Sequence, residues 1–292
     1  MAVFLLTNDD GIHSEGLHIL CNRISQLGPV YIAAPDREQS ACGHAISLHR
    51  PLRMLERKIA GATQAWEVDG TPADCVKLAI EGALLPVQPD LVISGINRGS
   101  NLGTDVLYSG TVSAAIEATL IGFPAMAVSL CDPSREGFEL AAEVAAEIAS
   151  VLLKNNLPKN TLLNINVPGV RREELAGITV ARLGRRQYSK VIERRVDPRG
   201  KVYYWIAGEP VLDSEKDTDI EAIIQNKVSV TPLQFNMTRS DIMPAVSKII
   251  EEAGFFQFPF GPQSGQNGCD GKNGLNAHVR PAKVDNLPGG TL

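Results

Sequence analysis

Cysteine is scarce in this sequence, and its spacing is not that of a metal cage. Five cysteines occur among 292 residues, and none forms a Cys-x-x-Cys pair. An odd and scattered set predicts neither a disulfide framework nor a zinc cage. The five are Cys21, Cys42, Cys75, Cys131 and Cys269.

Long apolar runs and an excess of basic residues are also absent. No apolar run approaches the roughly 20 residues that a membrane-spanning helix needs. The N-terminal apolar stretch lacks a preceding basic region and is interrupted by residues 8–10, unlike a signal peptide. The net charge of −5 argues against a protein that holds nucleic acid through a basic surface. We therefore expect a cytoplasmic protein with no membrane span and no stable nucleic-acid binding.

Three common signatures of phosphate chemistry are missing at the ends of the predicted strands. There is no Gly-x-Gly-x-x-Gly, which argues against a dinucleotide enzyme. Asn8-Asp9-Asp10 stands where a phosphatase with an aspartyl-phosphate intermediate needs Asp-x-Asp. A response-regulator receiver needs an acceptor Asp after its third strand and a Lys after its fifth, and the predicted strands here end differently.

The apolar content of 44% is instead arranged as alternating strands and helices. Residues 3–6 form an uninterrupted apolar run, typical of a strand buried on both faces. A helix is predicted over 14–27, and a second buried strand over 30–34. Further strands are predicted at 46–48, 52–57, 66–68, 91–93, 125–130, 162–167 and 228–232, and helices from Thr71, from Ser109 to Ile121, at 138–153 and at 243–253.

This alternation predicts an α/β fold, a Rossmann-like doubly wound sheet that is mostly parallel. Residues 1–168 are predicted to form the catalytic core. Residues 169–254 are predicted to hold a long β-hairpin, with strands at 178–183 and 202–206, and a C-terminal helix. Residues 255–292 are rich in Gly, Asn and Pro, and are predicted to be a disordered tail.

Oxygen-bearing side chains follow three of the predicted strands. Asp9 and Asp10 follow the first, Ser40 lies in the loop after the second, and Asn97 lies in the loop after residues 91–93. In a doubly wound sheet these loops meet at one edge. Carboxylate, hydroxyl and amide oxygens select a hard divalent ion such as Mg²⁺ or Mn²⁺ over zinc. The alternative for the Asp9-Asp10 pair is an ordinary turn that begins the next helix.

A fourth loop has the features of a phosphate site. Residues 108–111 place two hydroxyls and free backbone N–H groups at the N-terminus of a helix, where phosphate binds well. The alternative is an ordinary helix cap. A cation beside bound phosphate would indicate phosphoryl hydrolysis by metal-activated water, without a covalent phospho-enzyme.

Five motifs in order resemble the survival protein SurE family, over roughly residues 2–254. They are Leu5-Leu6-Thr7-Asn8-Asp9-Asp10-Gly11, Ala34-Pro35-Asp36-Arg37 through Ser40, Gly70-Thr71-Pro72-Ala73-Asp74-Cys75, Ser94-Gly95-Ile96-Asn97 and Tyr108-Ser109-Gly110-Thr111-Val112. The resemblance implies a metal-dependent nucleotidase acting on nucleoside 5′- and 3′-monophosphates, with possible cleavage of short polyphosphate. It departs at Asn226-Lys227, where many members have Gly-Tyr.

The resemblance also implies roles for individual residues. Asp9, Asp10, Ser40 and Asn97 would bind one divalent ion per subunit, with Asp9, Asp10 and Asn97 also catalytic. Asn8, Ser109, Gly110 and Thr111 would bind the phosphate. The hairpin and the C-terminal segment would be exchanged between subunits of a homodimer or homotetramer.

Two alternatives stay open at this stage. No histidine lies between His49 and His278, so a histidine of the exchanged segment is not the acid or base. His44 is either a proton donor to the leaving group or a structural, hydrogen-bonding histidine. The rival function is a nucleotide-sensing oligomer with little turnover.

Overall fold

The central feature of the computed structural model is a nine-stranded sheet with helices on both faces. The structure describes residues 1–132, 135–155, 162–189, 192–206, 208–211 and 215–253. Its strands are β1 Phe4–Thr7, β2 Val30–Pro35, β3 Met54–Arg57, β4 Gln64–Val68, β5 Leu91–Arg98, β6 Ala125–Leu130, β7 Leu162–Val167, β8 Gly177–Val180, β9 Gln187–Ser189, β10 Ile192–Val196, β11 Val202–Ile206, β12 Glu209–Val211 and β13 Lys227–Leu233. Its helices are α1 Glu15–Ile24, α2 Pro72–Glu81, α3 Gly110–Ile121, α4 Arg135–Leu152, α5 Asp219–Ile224 and α6 Met243–Ala253, with 3-10 turns at Gly103–Leu107, Arg172–Glu174 and Ser240–Ile242.

The strand order is β3-β4-β2-β1-β5-β6-β7-β13-β8. The six strands from β4 to β7 run parallel, whereas β3 is antiparallel to β4 and β13 is antiparallel to β7. Apolar side chains of the strands alternate between two cores. One core packs against α1 and α4, and the other packs against α2 and α3. The predicted α/β class with a mostly parallel, doubly wound sheet is confirmed.

Helix ends are set by the local signals that the sequence carries. Ser14 caps α1, Thr71 caps α2 in a capping box with Pro72 at the first helical position, and Gly122 ends α3 with φ of 107°. The first helix is shorter than predicted: it ends at Ile24, with Ser25 as its cap, and not at Leu27.

Three strand predictions need correction. No strand forms over 46–48, because the backbone of Ser47 is bound by the Asp74 carboxylate at 2.8 Å. The strand predicted at 91–93 continues to Arg98, so Asn97 lies on β5 and not in a loop. The stretch predicted as the first hairpin strand, 178–183, instead contributes β8 to the edge of the main sheet.

A long hairpin is present, but the strand that pairs with residues 202–206 is residues 192–196 and not residues 178–183. β10 pairs with β11 in antiparallel register from Ile192–Ile206 to Val196–Val202, and β9 pairs with β12. The Asp197 carboxylate binds the backbone N–H groups of Arg199 and Lys201 and closes the turn. Exchange of this hairpin between subunits stays a prediction.

The chain divides into a unit of residues 1–236 and a unit of residues 237–292. The described part of the second unit contains α6, whose apolar residues Met243, Val246, Ile249 and Ile250 recur every three or four positions and are exposed. The predicted boundary at residue 168 stays a prediction, although β8 and β13 beyond it complete the main sheet. The predicted tail lies outside the described residues. In the part of the chain that the structure describes, no helix is long and apolar enough to cross a membrane.

Candidate active site

The predicted carboxylates lie where the strand order of the sheet reverses. β1 has β2 on one side and β5 on the other, and the chain moves outward from β1 to β4 before it returns to β5. Doubly wound sheets bind ligands in the crevice beyond the carboxyl ends of the strands at such a point. Asp9 and Asp10 follow β1, and Asn97 lies near the end of β5. The topology therefore brings these three residues to one crevice.

The turn that carries the carboxylates is held by Asn8. Its Nδ2 donates to the carbonyl oxygen of Gly11 at 2.9 Å and to Ser14 Oγ at 2.6 Å. A carbonyl oxygen can only accept, which identifies the amide atom facing it as nitrogen. Gly11 has φ of 95°, and a Cβ there would lie 3.2 Å from a backbone carbon of Arg37. A side chain at this position would therefore strain the backbone and crowd Arg37.

Asp9 is the most buried carboxylate of the site, with 5% of its surface exposed. The Thr111 hydroxyl donates to its Oδ1 at 2.5 Å, and the Thr111 backbone N–H also interacts with it. Burial raises the pKa of Asp9 from 3.8 to about 6; the Thr111 hydrogen bond opposes the rise and the Asp10 charge adds to it. Asp9 is thus ionised at neutral pH against an unfavourable environment, which a cation would relieve.

Asp10 connects the ends of the two central strands. Its Oδ2 accepts from the backbone N–H of Arg98 at 2.9 Å. Burial raises its pKa, the Arg98 hydrogen bond opposes this rise, and the Glu38 charge adds to it. A cleft of about 200 Å³ opens beside Asp10, between Ser14, Glu38 and Arg98. Asp10 is therefore the more accessible of the two carboxylates.

Asn97 reaches the crevice through an irregularity in β5. The register between β5 and β6 shifts between Ser94 and Asn97. Gly95, at φ of 144°, allows this path, because a Cβ there would lie 2.4 Å from the carbonyl oxygen of Val128. Asn97 Nδ2 donates to the carbonyl oxygen of Gly99 at 2.8 Å. Its Oδ1 is the amide atom left to accept from a donor or bind a cation.

The loop of Ser40 lies at the site, but among the residues that the structure describes the Ser40 hydroxyl makes no hydrogen bond to the carboxylates of Asp9 or Asp10. The backbone N–H of the adjacent Gln39 donates to the carbonyl oxygen of Asp9 at 2.7 Å, which attaches the loop to the carboxylate turn. Ser40 itself is exposed, and its hydroxyl donates to Glu38 Oε1 at 2.5 Å. The structure brings the loop of Ser40 to Asp9 and leaves its hydroxyl on Glu38.

The N-terminus of α3 points at Asp9. The Ser109 hydroxyl accepts from the backbone N–H of Val112 at 3.0 Å and so acts as the helix cap. A Cβ on Gly110 would lie 2.8 Å from Asp9 Cβ and 3.0 Å from Asp9 Oδ2. The hydroxyls of Ser109 and Thr111 are therefore both engaged within the protein. The backbone of Gly110 packs against the Asp9 side chain.

The donor set fits a hard cation. Among the described residues, no three His, Cys, Asp or Glu side chains converge as metal ligands, so a cation at Asp9 and Asp10 needs neutral oxygens to complete its shell. Asn97 Oδ1 is one such oxygen. Another is Asn8 Oδ1, which is buried and has no hydrogen-bond partner within the described part of the chain. Oxygen ligands of this kind suit Mg²⁺ or Mn²⁺.

Side chains distant in sequence hold the loop after β5, and sequence reasoning missed them. The backbone of Asn101 is bound by Asn164 and Asn166, which project from β7. The fully buried Asp219 at the start of α5 accepts from the backbone N–H groups of Gly103 and Gly184 at 2.7 and 2.8 Å. The alternating Asn-x-Asn in an otherwise apolar strand is the signal that could have revealed the first contact.

His44 is a hydrogen-bonding residue in this structure. Its Nε2 lies 2.7 Å from Glu117 Oε2. Glu117 lies seven residues along α3 from Gly110, about 10 Å at the rise of an α-helix. This places the imidazole away from the end of α3 that faces Asp9. Of the two alternatives that the sequence left open, the structure favours the structural one.

Fold and site together define a class: a doubly wound α/β protein with a carboxylate and amide site at its topological switch point. The family model described as "Survival protein SurE" matches residues 4–190. The chain belongs to the survival protein SurE family.

Relatives and a solved structure agree with this assignment. The chain is 51% identical over 252 residues to the 5′-nucleotidase SurE of Pelotomaculum thermopropionicum, covering 85% of this chain and 95% of the relative. It is 50% identical over 238 residues to the 5′-nucleotidase SurE of Moorella thermoacetica, covering 81% and 91%. The crystal structure of the SurE protein from Aquifex aeolicus superposes with a TM-score of 0.75 at 42% identity, covering 85% of this chain and 99% of that one.

Proposed function

We propose that this protein is a metal-dependent phosphomonoesterase that hydrolyses nucleoside 5′- and 3′-monophosphates. The observation that carries the proposal is the pair of adjacent carboxylates at the switch point, of which Asp9 packs against the N-terminus of α3 and Asp10 lies beside an open cleft. The names of the relatives, 5′-nucleotidase SurE, support the nucleotide substrate. Activity on 3′-nucleotides and on short polyphosphate is the further part of the proposal.

Asp9, Asp10, Asn97 and Ser40 would hold one divalent ion per subunit, Mg²⁺ or Mn²⁺. The unpartnered Asn8 Oδ1 supports this assignment, since a buried amide oxygen is unfavourable unless a donor or a cation satisfies it. When bound, the ion supplies Lewis acidity to the phosphoryl oxygens and lowers the pKa of water. Ser40 would have to exchange its bond to Glu38 for the ion.

The protein groups have separate tasks. Thr111 keeps Asp9 in place and, through its hydrogen bond, favours the ionised carboxylate. Asp10 joins the ends of β1 and β5 through its hydrogen bond to the Arg98 backbone, and Asp10 and Asn97 would complete the catalytic set with Asp9. Phosphate would lie at the N-terminus of α3, against the backbone of Gly110 and beside Asn8, Ser109 and Thr111.

Our mechanism is hydrolysis by direct attack of water on phosphorus. Among the described residues beside Asp9, the Thr111 hydroxyl holds the carboxylate and the Ser109 hydroxyl caps α3, so both already have structural roles. Burial raises the pKa of Cys42, whose sulfur would lie 3.0 Å from a Cβ on Gly110, and its thiolate is therefore disfavoured. The subunits are proposed to assemble as a homodimer or homotetramer that exchanges the hairpin and the C-terminal segment.

The test is release of inorganic phosphate from a panel of 5′- and 3′-nucleoside monophosphates with Mn²⁺, Mg²⁺ or EDTA. Glycerol phosphate serves as the phosphomonoester without a base. We expect release only with metal, and preference for nucleotides. The matched control for Asp9→Asn is Glu193→Gln, which removes one carboxylate from the exposed hairpin. No release with any metal, with nucleotide binding intact, would instead indicate a nucleotide-sensing oligomer.

A further inference from the structure

The loop that carries Ser40 has no apolar anchor. The loop comprises residues 38–47. Ile46 within it is 43% exposed, and Leu48 just beyond it is 74% exposed. Ala41 takes a left-handed φ of 54°, which a residue with a Cβ adopts only at a cost. Burial of apolar surface therefore does not hold the loop over the site, and polar contacts must do so.

Four backbone groups of the 38–47 loop make such contacts. They are the Gln39 N–H to the Asp9 carbonyl, the Gly43 N–H to the Tyr108 carbonyl, the Ala45 carbonyl to the Thr71 hydroxyl, and the Ser47 N–H to the Asp74 carboxylate, at 2.7 to 3.0 Å. Gly43 is thus attached to the residue that precedes the cap of α3. Tyr108 is three positions before Thr111, whose hydroxyl donates to the Asp9 carboxylate.

One hydrogen bond between side chains reinforces this attachment. Glu117 on α3 is 7% exposed, and a buried carboxylate destabilises a fold unless it is paired. His44 Nε2 lies 2.7 Å from Glu117 Oε2, and Lys77 Nζ on α2 lies 3.3 Å from Glu117 Oε1. Of these two partners, only His44 belongs to the 38–47 loop. Glu117 therefore ties the loop of Ser40 to the helix whose first turn holds Asp9.

We propose that His44, through its hydrogen bond to Glu117, is a positioning residue. It fixes the position of Ser40 relative to Asp9 and thereby determines the affinity of the site for its divalent cation. This inference rests on the proposed function, because it takes Ser40 as a ligand of the ion. His44 does not touch the reacting atoms, because Glu117 lies about 10 Å along α3 from Gly110. Its effect should appear in metal binding and not in the chemical step.

The test is calorimetric titration of Mn²⁺ into the full-length protein. Outer-shell residues of metal sites typically change affinity by about 10- to 100-fold when they are removed. We expect His44→Ala to raise the Kd for Mn²⁺ by about tenfold. His44→Gln should recover part of the loss, since its side-chain amide can still donate to Glu117. At saturating Mn²⁺, His44→Ala should turn over within about twofold of wild type.

Lys77→Met is the matched control. It removes the lysine contact from Glu117 and leaves every contact of the 38–47 loop in place, so the Kd for Mn²⁺ should not change. An unchanged Kd in His44→Ala would overturn the inference, as would equal losses in His44→Ala and Lys77→Met. A turnover at least tenfold lower at saturating Mn²⁺ would also overturn it, because His44 would then act in the chemistry.

Asp9→Asn in the same titration separates this inference from the function on which it rests. Wild-type Mn²⁺ affinity in Asp9→Asn would mean that the ion does not bind at these carboxylates, and the proposed function would fail. Lost affinity in Asp9→Asn together with unchanged affinity in His44→Ala would leave the function standing and refute only the role of His44.

Discussion

Replacing Asp9 by asparagine should stabilise the metal-free protein while it destroys the site. The Asp9 carboxylate is 5% exposed and lies next to Asp10, so its negative charge opposes folding when no cation is present. Asparagine is nearly the same size, and its Oδ1 can still accept the hydrogen bond from Thr111 Oγ1. The substitution therefore removes the buried charge and leaves the packing in place.

The size of the effect follows from the pKa of Asp9. A rise from 3.8 in the unfolded chain to about 6 in the folded one corresponds to about 3 kcal/mol. Between these two values the folded protein binds more protons than the unfolded chain, so the free energy of unfolding falls as the pH rises. The destabilisation is absent below about pH 3.8 and complete above about pH 6. Asp9→Asn, which like the protonated carboxyl carries no charge, should thus gain at most about 3 kcal/mol at neutral pH and should lose that gain in acid.

Urea unfolding followed by circular dichroism measures this directly. In EDTA at pH 7.5, the midpoint for Asp9→Asn should lie above that for wild type, and the difference should shrink as the pH falls from 6 to 4. Addition of Mn²⁺ should reverse the order, since a ligand stabilises the folded state that binds it. Glu193→Gln, with its exposed carboxylate, should follow wild type throughout.

A lower midpoint for Asp9→Asn in EDTA at pH 7.5 would refute this reasoning, because the ionised Asp9 would then stabilise the fold. A gain in stability that does not change between pH 4 and 6 would show that another group is responsible. Stabilisation by Mn²⁺ of wild type and variant alike would remove Asp9 from the cation site.

Three further predictions concern the groups around Asp9. Thr111→Val removes the hydroxyl that keeps the pKa of Asp9 down, so the loss of Mn²⁺ binding in acid should move to higher pH in a titration series, while Thr111→Ser should retain the wild-type profile. Gly110→Ala should lower phosphate release at least tenfold, because its Cβ would lie 2.8 Å from Asp9 Cβ; wild-type rates would show that the N-terminus of α3 can move away. Rapid quenching of a reaction with ³²P-labelled AMP should leave no label on the protein, and a labelled Asp or Ser would disprove direct attack by water.

Much of the fold could be predicted because its signals are local. The apolar run of β1, the Thr71-Pro72 start of α2 and Gly122 after α3 each act within a few residues of their own position. Errors arose where a distant contact decided the outcome. β5 continues past Ile93 because Gly95 can approach Val128 of the neighbouring strand. Residues 46–48 form no strand because the backbone N–H of Ser47 donates to the Asp74 carboxylate.

The candidate site divides in the same way. The sequence by itself determined which oxygen-bearing residues follow which strands, and the parallel sheet carries Asp9, Asp10 and Asn97 to one edge. Only the tertiary structure decided the hydrogen bonds of the site. Thr111 donates to Asp9, the amide nitrogen of Asn8 donates to the Gly11 carbonyl within the turn, and the Ser40 hydroxyl donates to Glu38. A strand end is a property of local sequence. A hydrogen bond across 102 positions depends on the folding of everything between its partners.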